Sequence, residues 1–142
     1  MSSTIPAGFR ALPLPVAQLS LAAVLKCGQS FRWQALPLPP PTDPLQSHEY
    51  RFCLRDRVVC LRQSHENLFY RSVFPSVTRS TQDEELRDTE AVAFLRNYFQ
   101  LDTDLLELYD DWSRRDPVFR LFRERFSGIR MLRQDPWENV VS

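Results

Sequence analysis

The stretch Cys27-Gly28-Gln29-Ser30-Phe31-Arg32-Trp33 decides how this chain is interpreted. Gly28 is one of only three glycines, and it follows a mostly apolar run over residues 19–25. A glycine here allows a positive φ and leaves a backbone carbonyl or amide without a Cβ to shield it. Such a group can contact a ligand closely. A glycine that merely ends a short helical turn is the other interpretation, and residue chemistry alone leaves both open.

Two further stretches accompany the first one. They are Asn97-Tyr98-Phe99-Gln100-Leu101-Asp102 and Gly128-Ile129-Arg130-Met131-Leu132-Arg133-Gln134-Asp135-Pro136-Trp137-Glu138. Together with Gly28-Gln29-Ser30-Phe31-Arg32-Trp33, they resemble the N-terminal domain of the 8-oxoguanine DNA glycosylases. The resemblance covers most of the chain, and only the proline-rich residues 35–47 depart from the family in composition.

The resemblance implies a function in base excision repair, as an N-glycosylase and AP lyase that flips a damaged base out of double-stranded DNA. It implies that the carbonyl of Gly28 reads the base, because N7 carries a proton in 8-oxoguanine but is an acceptor in guanine. Gln29, Ser30, Phe31, Arg32 and Trp33 are the supporting residues that hold this carbonyl. We expect Phe31 and Trp33 to share one face of a strand, with Arg32 on the other face.

The catalytic residues that the family uses are not found in this sequence. The family attacks the sugar with a lysine amine, assisted by an aspartate, in a helix-hairpin-helix segment. Lys26 is the only lysine, and its place beside Gly28 indicates a solvated surface charge. We therefore predict no catalytic residue, no metal site and no cofactor, and we expect the chain alone to be inactive.

Domain boundaries follow from the same reasoning. We expect a flexible N-terminus over residues 1–8 and one α+β domain over residues 9–134. Asp135-Pro136 is a helix-start signature, with Glu138 at the third helical position, so residues 135–142 are expected to begin a helix that is cut off before the helix-hairpin-helix domain. Apolar surface is then expected around Met131, Trp137 and Val140.

Short strands followed by helices indicate an α+β fold, with an antiparallel, TBP-like sheet packed against C-terminal helices. Strands are predicted over residues 9–12, 18–21, 30–35, 49–54, 58–62 and 68–73, with a helical turn over residues 22–27. Helices are predicted from Thr81, over residues 104–112 and from Pro117. Apolar residues at helical spacing are expected to face the core: Leu86, Ala91, Val92, Leu95, Tyr98, Phe99, Leu105, Leu108, Tyr109, Trp112, Phe119, Phe122 and Phe126.

The net charge of zero hides a segregation of charge along the sequence. Residues 1–80 carry nine basic and four acidic groups, residues 81–111 carry two and ten, and residues 112–142 carry seven and four. The acidic block should face away from DNA, whereas basic residues within 114–133 are candidates for phosphate contacts. Three cysteines without metal-ligand spacing indicate a reducing compartment; Cys53 and Cys60 are expected to face strand neighbours.

The expected partner is double-stranded DNA containing 8-oxoguanine, bound by the full-length enzyme as a monomer and without a membrane. The resemblance implies the nucleus, with the mitochondrion as a second location. Two alternatives stay open: a non-enzymatic domain that binds DNA or protein on its sheet, and a related glycosylase for another damaged base.

Overall fold

A computed structural model describes residues 4–39, 43–75 and 81–141 of the chain. One antiparallel sheet has the strand order β1-β5-β4-β3-β2. Its strands are β1 (Arg10–Pro13), β2 (Gln34–Pro37), β3 (His48–Cys53), β4 (Val58–Gln63) and β5 (Asn67–Val73). The helices are α1 (Leu21–Leu25), α2 (Thr81–Tyr98), α3 (Leu105–Arg115), α4 (Pro117–Phe122) and α5 (Pro136–Val141), with a short 3-10 turn at Pro44–Gln46. The predicted α+β class and antiparallel sheet are confirmed.

The three central strands form as the sequence predicts. β3 and β4 are joined through Arg55-Asp56-Arg57, where Leu54 donates a backbone hydrogen bond to Arg57 over 2.8 Å. β4 and β5 are joined by a second tight turn, in which Ser64 donates to Asn67 over 2.9 Å. These connections are too short for a crossover, so the strands pair in antiparallel register.

The main core lies between one face of the sheet and helices α1 and α2. Alternate residues of the strands point into it, as the twofold period of a strand requires, and the apolar face of α2 packs on them. The buried members from the sheet and α2 are Tyr50, Phe52, Val59, Leu61, Leu68, Tyr70, Ala91, Leu95 and Tyr98. Phe9, Cys60 and Phe69 form a smaller cluster on the opposite face.

Two predicted strands are wrong. Residues 18–21 form no strand; Ser20 instead caps α1, and its hydroxyl accepts from the amide of Ala23. The strand predicted over residues 30–35 lies at Gln34–Pro37, and residues 28–33 form an irregular loop before it. The apolar pattern resembles a strand here, but the contacts described below hold the loop in another shape.

Several expected core residues are exposed. Ala91, Leu95, Tyr98, Phe99, Leu105 and Tyr109 are buried, as predicted, and Val92 packs against the core. Leu86, Trp112, Phe122 and Phe126 expose 60%, 42%, 45% and 53% of their surface, so their predicted burial is wrong. Leu108 and Phe119 are half-buried. Helical spacing identifies one face of a helix, but it does not show whether anything covers that face.

Three further observations concern the cysteines, membrane-spanning helices and metal ligands. Cys60 is buried, whereas Cys53 is exposed, contrary to its expected packing. Within residues 4–39, 43–75 and 81–141, every helix is too short or too polar to cross a bilayer. The same residues contain no group of three or more His, Cys, Asp or Glu side chains placed to hold a metal ion.

Candidate functional site

Gly28 forms an open bend directly after α1. Its φ is +88°, in the region that glycine adopts without strain. The residue is exposed, and a Cβ added to it would meet no atom within 4 Å. Lys26, which caps the C-terminal end of α1, is also exposed, as expected of a solvated charge. The backbone at Gly28 is therefore accessible to a ligand from outside the domain.

Gln29 connects this bend to residues 128–138. Its side-chain amide donates to the carbonyl of Arg130 over 2.8 Å and accepts from the amide of Leu132 over 3.0 Å. Gln134 donates its side-chain N–H to the backbone carbonyl of Gln29. The side chain of Gln29 thus pairs with a backbone carbonyl and a backbone amide of an irregular segment, as a neighbouring strand would.

Ser30 and Arg32 share one buried carboxylate. Ser30 Oγ donates to Glu138 Oε1 over 2.8 Å, and Arg32 Nη1 donates to Glu138 Oε2 over 3.2 Å. Arg32 also donates to the carbonyl of Cys53 and lies 4.4 Å from the ring centroid of Phe52. Glu138 is 8% exposed and belongs to the first turn of α5, so this short helix is fastened to the loop.

Trp33 anchors the other end of the loop in the core. Its indole N–H donates to Tyr98 Oη over 3.0 Å, and its ring lies 4.8 Å from that of Phe52 and 6.2 Å from that of Phe99. Burial raises the pKa of Tyr98, so the phenol stays neutral and able to pair. The indole N–H, which would be costly to bury alone, is therefore satisfied.

Phe31 does not join Trp33. It exposes 75% of its surface, whereas Trp33 exposes 9%, so the expectation that they share a strand face is wrong. The reason is that residues 28–33 bend rather than extend. Phe31 instead lines a groove of about 380 Å³ with Arg32, Asp135, Trp137, Glu138 and Val141. Met131, Trp137 and Val140 are exposed, as expected.

Gly128 forms a second bend with a positive φ, in the interior of the domain. Gly128 has a φ of +76° but is buried. A Cβ there would lie 2.4 Å from the carbonyl oxygen of Val16 and 2.7 Å from the amide nitrogen of Ser20. The carbonyl of Gly128 accepts from the amide of Ser20 over 2.8 Å. This bend therefore brings residues 128–138 against the start of α1.

Arg130 fixes the same segment from inside the domain. It is 6% exposed, and its guanidinium donates to the carbonyls of Gln18, Gln100 and Thr103 and to the side chain of Gln18. Burial lowers the pKa of Arg130 from its usual range. The candidate phosphate contact at this position is wrong, because the side chain faces Gln18 and residues 100–103 and not the solvent.

Several arginines outside the core are paired with nearby acids. Arg123 donates to Asp110 over 2.7 Å, and Arg114 and Arg115 both lie within 3.5 Å of Asp111. In the acidic block, Asp88 accepts from Tyr70 and pairs with Arg10, and Glu90 pairs with Arg57. No one of these arginines stands out as a ligand for phosphate by its geometry.

Sequence reasoning found both stretches but missed what joins them. Glu138 was interpreted as part of a helix cap, yet its carboxylate accepts from residues more than 100 positions away in the sequence. The signal was the glutamate itself, the one acid in the first turn of a short helix. Nothing in its spacing indicated Ser30 and Arg32 as the partners.

Comparisons with known proteins agree with this architecture. The family model described as "8-oxoguanine DNA glycosylase, N-terminal domain" matches residues 11–140. An N-glycosylase/DNA lyase of Saccharomyces cerevisiae is 33% identical over 138 residues, which cover 94% of this chain and 33% of that protein. The chain thus spans about a third of the length of this relative.

Solved structures give the same result for the fold. The structure of MBOgg1 in complex with a low-affinity DNA ligand matches with a TM-score of 0.61 at 23% identity, covering 94% of this chain and 38% of that one. The Clostridium acetobutylicum 8-oxoguanine glycosylase/lyase, bound to double-stranded DNA containing cytosine opposite 8-oxoguanine, matches with a TM-score of 0.57 at 25% identity. The match covers 84% of this chain and 33% of the Clostridium acetobutylicum chain. The chain belongs to the family of the N-terminal domain of 8-oxoguanine DNA glycosylases.

Proposed function

We propose that this chain supplies the lesion-recognition part of an N-glycosylase and AP lyase that removes 8-oxoguanine from double-stranded DNA. The observation that carries the proposal is the Gly28 bend. It is exposed, it has a positive φ, and an added Cβ would find only open space. The residues that follow it are held by hydrogen bonds to the rest of the domain.

The chemistry of recognition requires one acceptor in a fixed place. The N7–H of 8-oxoguanine donates to the Gly28 carbonyl, whereas the N7 lone pair of guanine is repelled by it. A hydrogen bond contributes about 1 kcal/mol net, and a mismatched buried partner costs about 1–3 kcal/mol. A loose loop would lose this difference, because a carbonyl that moves aside no longer opposes guanine. The anchors at Gln29, Ser30 and Trp33 supply the required rigidity.

Cleavage of the glycosidic bond needs an activated amine, and the position of Lys26, the only lysine, does not favour that role. An amine nucleophile is activated by desolvation or by a nearby cation, and Lys26 is exposed at the end of α1. We therefore propose that the lysine and the aspartate of the reaction belong to the part of the relatives that this chain does not span. A nuclear location and a monomeric state are part of the same proposal.

Two proteins test the proposal side by side: the chain of 142 residues and the complete product of its gene. Each is incubated with duplex DNA containing 8-oxoguanine opposite cytosine, and borohydride then traps any Schiff base. We expect excision and a trapped adduct from the complete product, and neither from the chain alone. An adduct with the chain alone that Lys26→Ala abolishes would contradict the assignment of catalysis elsewhere. A complete product without activity on 8-oxoguanine would contradict the proposed function.

A further inference from the structure

We propose that Glu138 is a positioning residue for lesion recognition. From the first turn of α5, it holds Ser30 and Arg32, and through them it sets the shape of the Gly28 bend. This inference rests on the proposed function and deepens it, because it names the side chain that keeps the reading carbonyl in place.

The carboxylate of Glu138 contacts two residues of the loop. One carboxylate oxygen accepts from Ser30 Oγ over 2.8 Å and the other accepts from Arg32 Nη1 over 3.2 Å. Ser30 Oγ in turn accepts from the backbone N–H of Arg32 over 3.4 Å. Ser30 is 4% exposed, so its hydroxyl is oriented by the protein and not by solvent. The carboxylate therefore determines the path of residues 30–32.

A second tether runs in parallel to the first one. Gln134, just before α5, donates to the backbone carbonyl of Gln29, and Asp135 caps α5 by accepting from the amide of Trp137 over 2.9 Å. The two residues that follow Gly28 are thus both held from residues 134–138. Gly28 has no side chain of its own to fix it, so a displacement of α5 passes directly to the bend.

The ion pair is exposed on one side only: the side chain of Arg32 is 50% exposed and that of Glu138 is 10% exposed. Solvent screens the Arg32 side, whereas removal of the buried carboxylate also leaves the Ser30 hydroxyl without its acceptor, so Glu138→Ala should cost some stability as well as position. If Glu138 is removed, Arg32 keeps the carbonyl of Cys53 and the ring of Phe52. What is lost is the fixed geometry between the loop and α5.

The test measures base discrimination in the complete gene product. For each variant, the ratio of the Kd for DNA with guanine to the Kd for DNA with 8-oxoguanine is determined opposite cytosine. We expect Glu138→Ala to lower this ratio by about tenfold, since one misplaced acceptor is equivalent to that factor. Glu138→Gln keeps the shape of the side chain and one of its two acceptor oxygens, so it should retain most of the ratio. Glu124→Ala, at an exposed glutamate, is the matched control and should leave it unchanged.

A ratio that is unchanged in Glu138→Ala overturns the inference, even if urea denaturation shows that the variant is less stable. If Glu138→Ala does not fold, Ser30→Ala, which removes one of the two donors to Glu138, decides: a lowered ratio supports positioning, and an unchanged ratio overturns it. A wild-type protein without discrimination contradicts the proposed function instead. In that case, amide hydrogen exchange on the 142-residue chain still tests the tether: residues 29–33 should exchange faster in Glu138→Ala while β4 stays protected, and equal exchange overturns it.

Discussion

Gly28 and Gly128 adopt nearly the same backbone conformation in opposite surroundings. Their φ angles are +88° and +76°. Gly28 is exposed, and a Cβ there would meet nothing within 4 Å, whereas a Cβ on Gly128 would lie 2.4 Å from a backbone oxygen. The space beside Gly28 is open to a ligand, whereas the space beside Gly128 is occupied by the backbone of Val16 and Ser20.

The difference teaches that a glycine signature has two physical causes. A positive φ excludes most side chains at both sites, but only at Gly128 does neighbouring backbone exclude them as well. Gly128 therefore serves packing: it lets residues 128–138 approach the start of α1, and Gln29 and Ser30 are then held from that segment. The open bend at Gly28 depends on the closed one at Gly128.

Among the substitutions considered, Gly128→Ala should lower the free energy of unfolding the most. The added Cβ lies 2.4 Å from Val16 O and 2.9 Å from Ser20 Cβ, so backbone must move on one side or the other. Together with the strained φ, we expect the free energy of unfolding to fall by more than about 3 kcal/mol. Urea denaturation measures this loss, and a loss below about 1 kcal/mol would show that the closed bend is not tightly packed.

Arg130→Met should give the second largest loss of stability, because Arg130 also holds residues 128–138 against the domain. The substitution keeps much of the volume but leaves the carbonyls of Gln18, Gln100 and Thr103 without their donor. Unsatisfied buried acceptors cost about 1–3 kcal/mol each before relaxation and water entry, so we expect a net loss of about 3 kcal/mol. Arg123→Met, at a half-buried arginine paired with Asp110, is the control and should cost about 1 kcal/mol or less.

These two segments also show what could and could not be predicted from the sequence. The three central strands, the start of α2 and the cap at Asp135 follow from local rules that involve near neighbours. The path of residues 28–33 does not, because Gln29 and Ser30 are bonded to residues more than 100 positions away. The positive φ and the accessible backbone at Gly28 were expected, but the partners that hold the residues after it were not.

Packing partners explain the remaining errors. Phe122 and Phe126 have the spacing of a core face, yet within the described residues they stay half exposed. Arg130 was among the candidates for phosphate contacts, although its guanidinium is surrounded by carbonyls. Neither Phe126 nor Arg130 lies in a helix or strand, so only the tertiary structure decides what surrounds them.

Alkaline pH should weaken both segments through their tyrosines. Burial raises the pKa of Tyr98, which accepts from Trp33 at the end of the loop that begins at Gly28, and of Tyr109, which donates to the carbonyl of Phe126 near Gly128. A pKa that is raised in the folded state means that the unfolded state ionises first. The stability from these phenols is therefore complete below pH 10.0, the ordinary tyrosine value, and is lost as the pH rises through the folded pKa.

Urea denaturation at a series of pH values around 10.0 measures this loss. Tyr98→Phe and Tyr109→Phe should each reduce the slope of stability against pH in that window. The two variants together should reduce it more than either one. A slope that both variants leave unchanged would show that neither phenol is buried as described.

Gly28→Ala should have the smallest effect on stability. The only cost within the domain is the positive φ, about 1–2 kcal/mol for a residue with a Cβ, because the space around it is open. Gly28→Asn, which tolerates this conformation better, should cost less than Gly28→Ala. If Gly28→Ala instead costs as much as Gly128→Ala, the contrast between the open and the closed bend is wrong.

The central claim is that the carbonyl of Gly28 accepts a hydrogen bond from N7–H of the damaged base. The most direct test compares 8-oxoguanine with 7-deaza-8-oxoguanine, each opposite cytosine, in binding to the complete gene product. The deaza base presents a C–H, a poor donor, at the position of N7. We expect its Kd to be about fivefold higher, the factor that corresponds to one net hydrogen bond of about 1 kcal/mol. Equal affinity for the two bases would contradict the claim, and Gly28 would then be a glycine that serves only its turn.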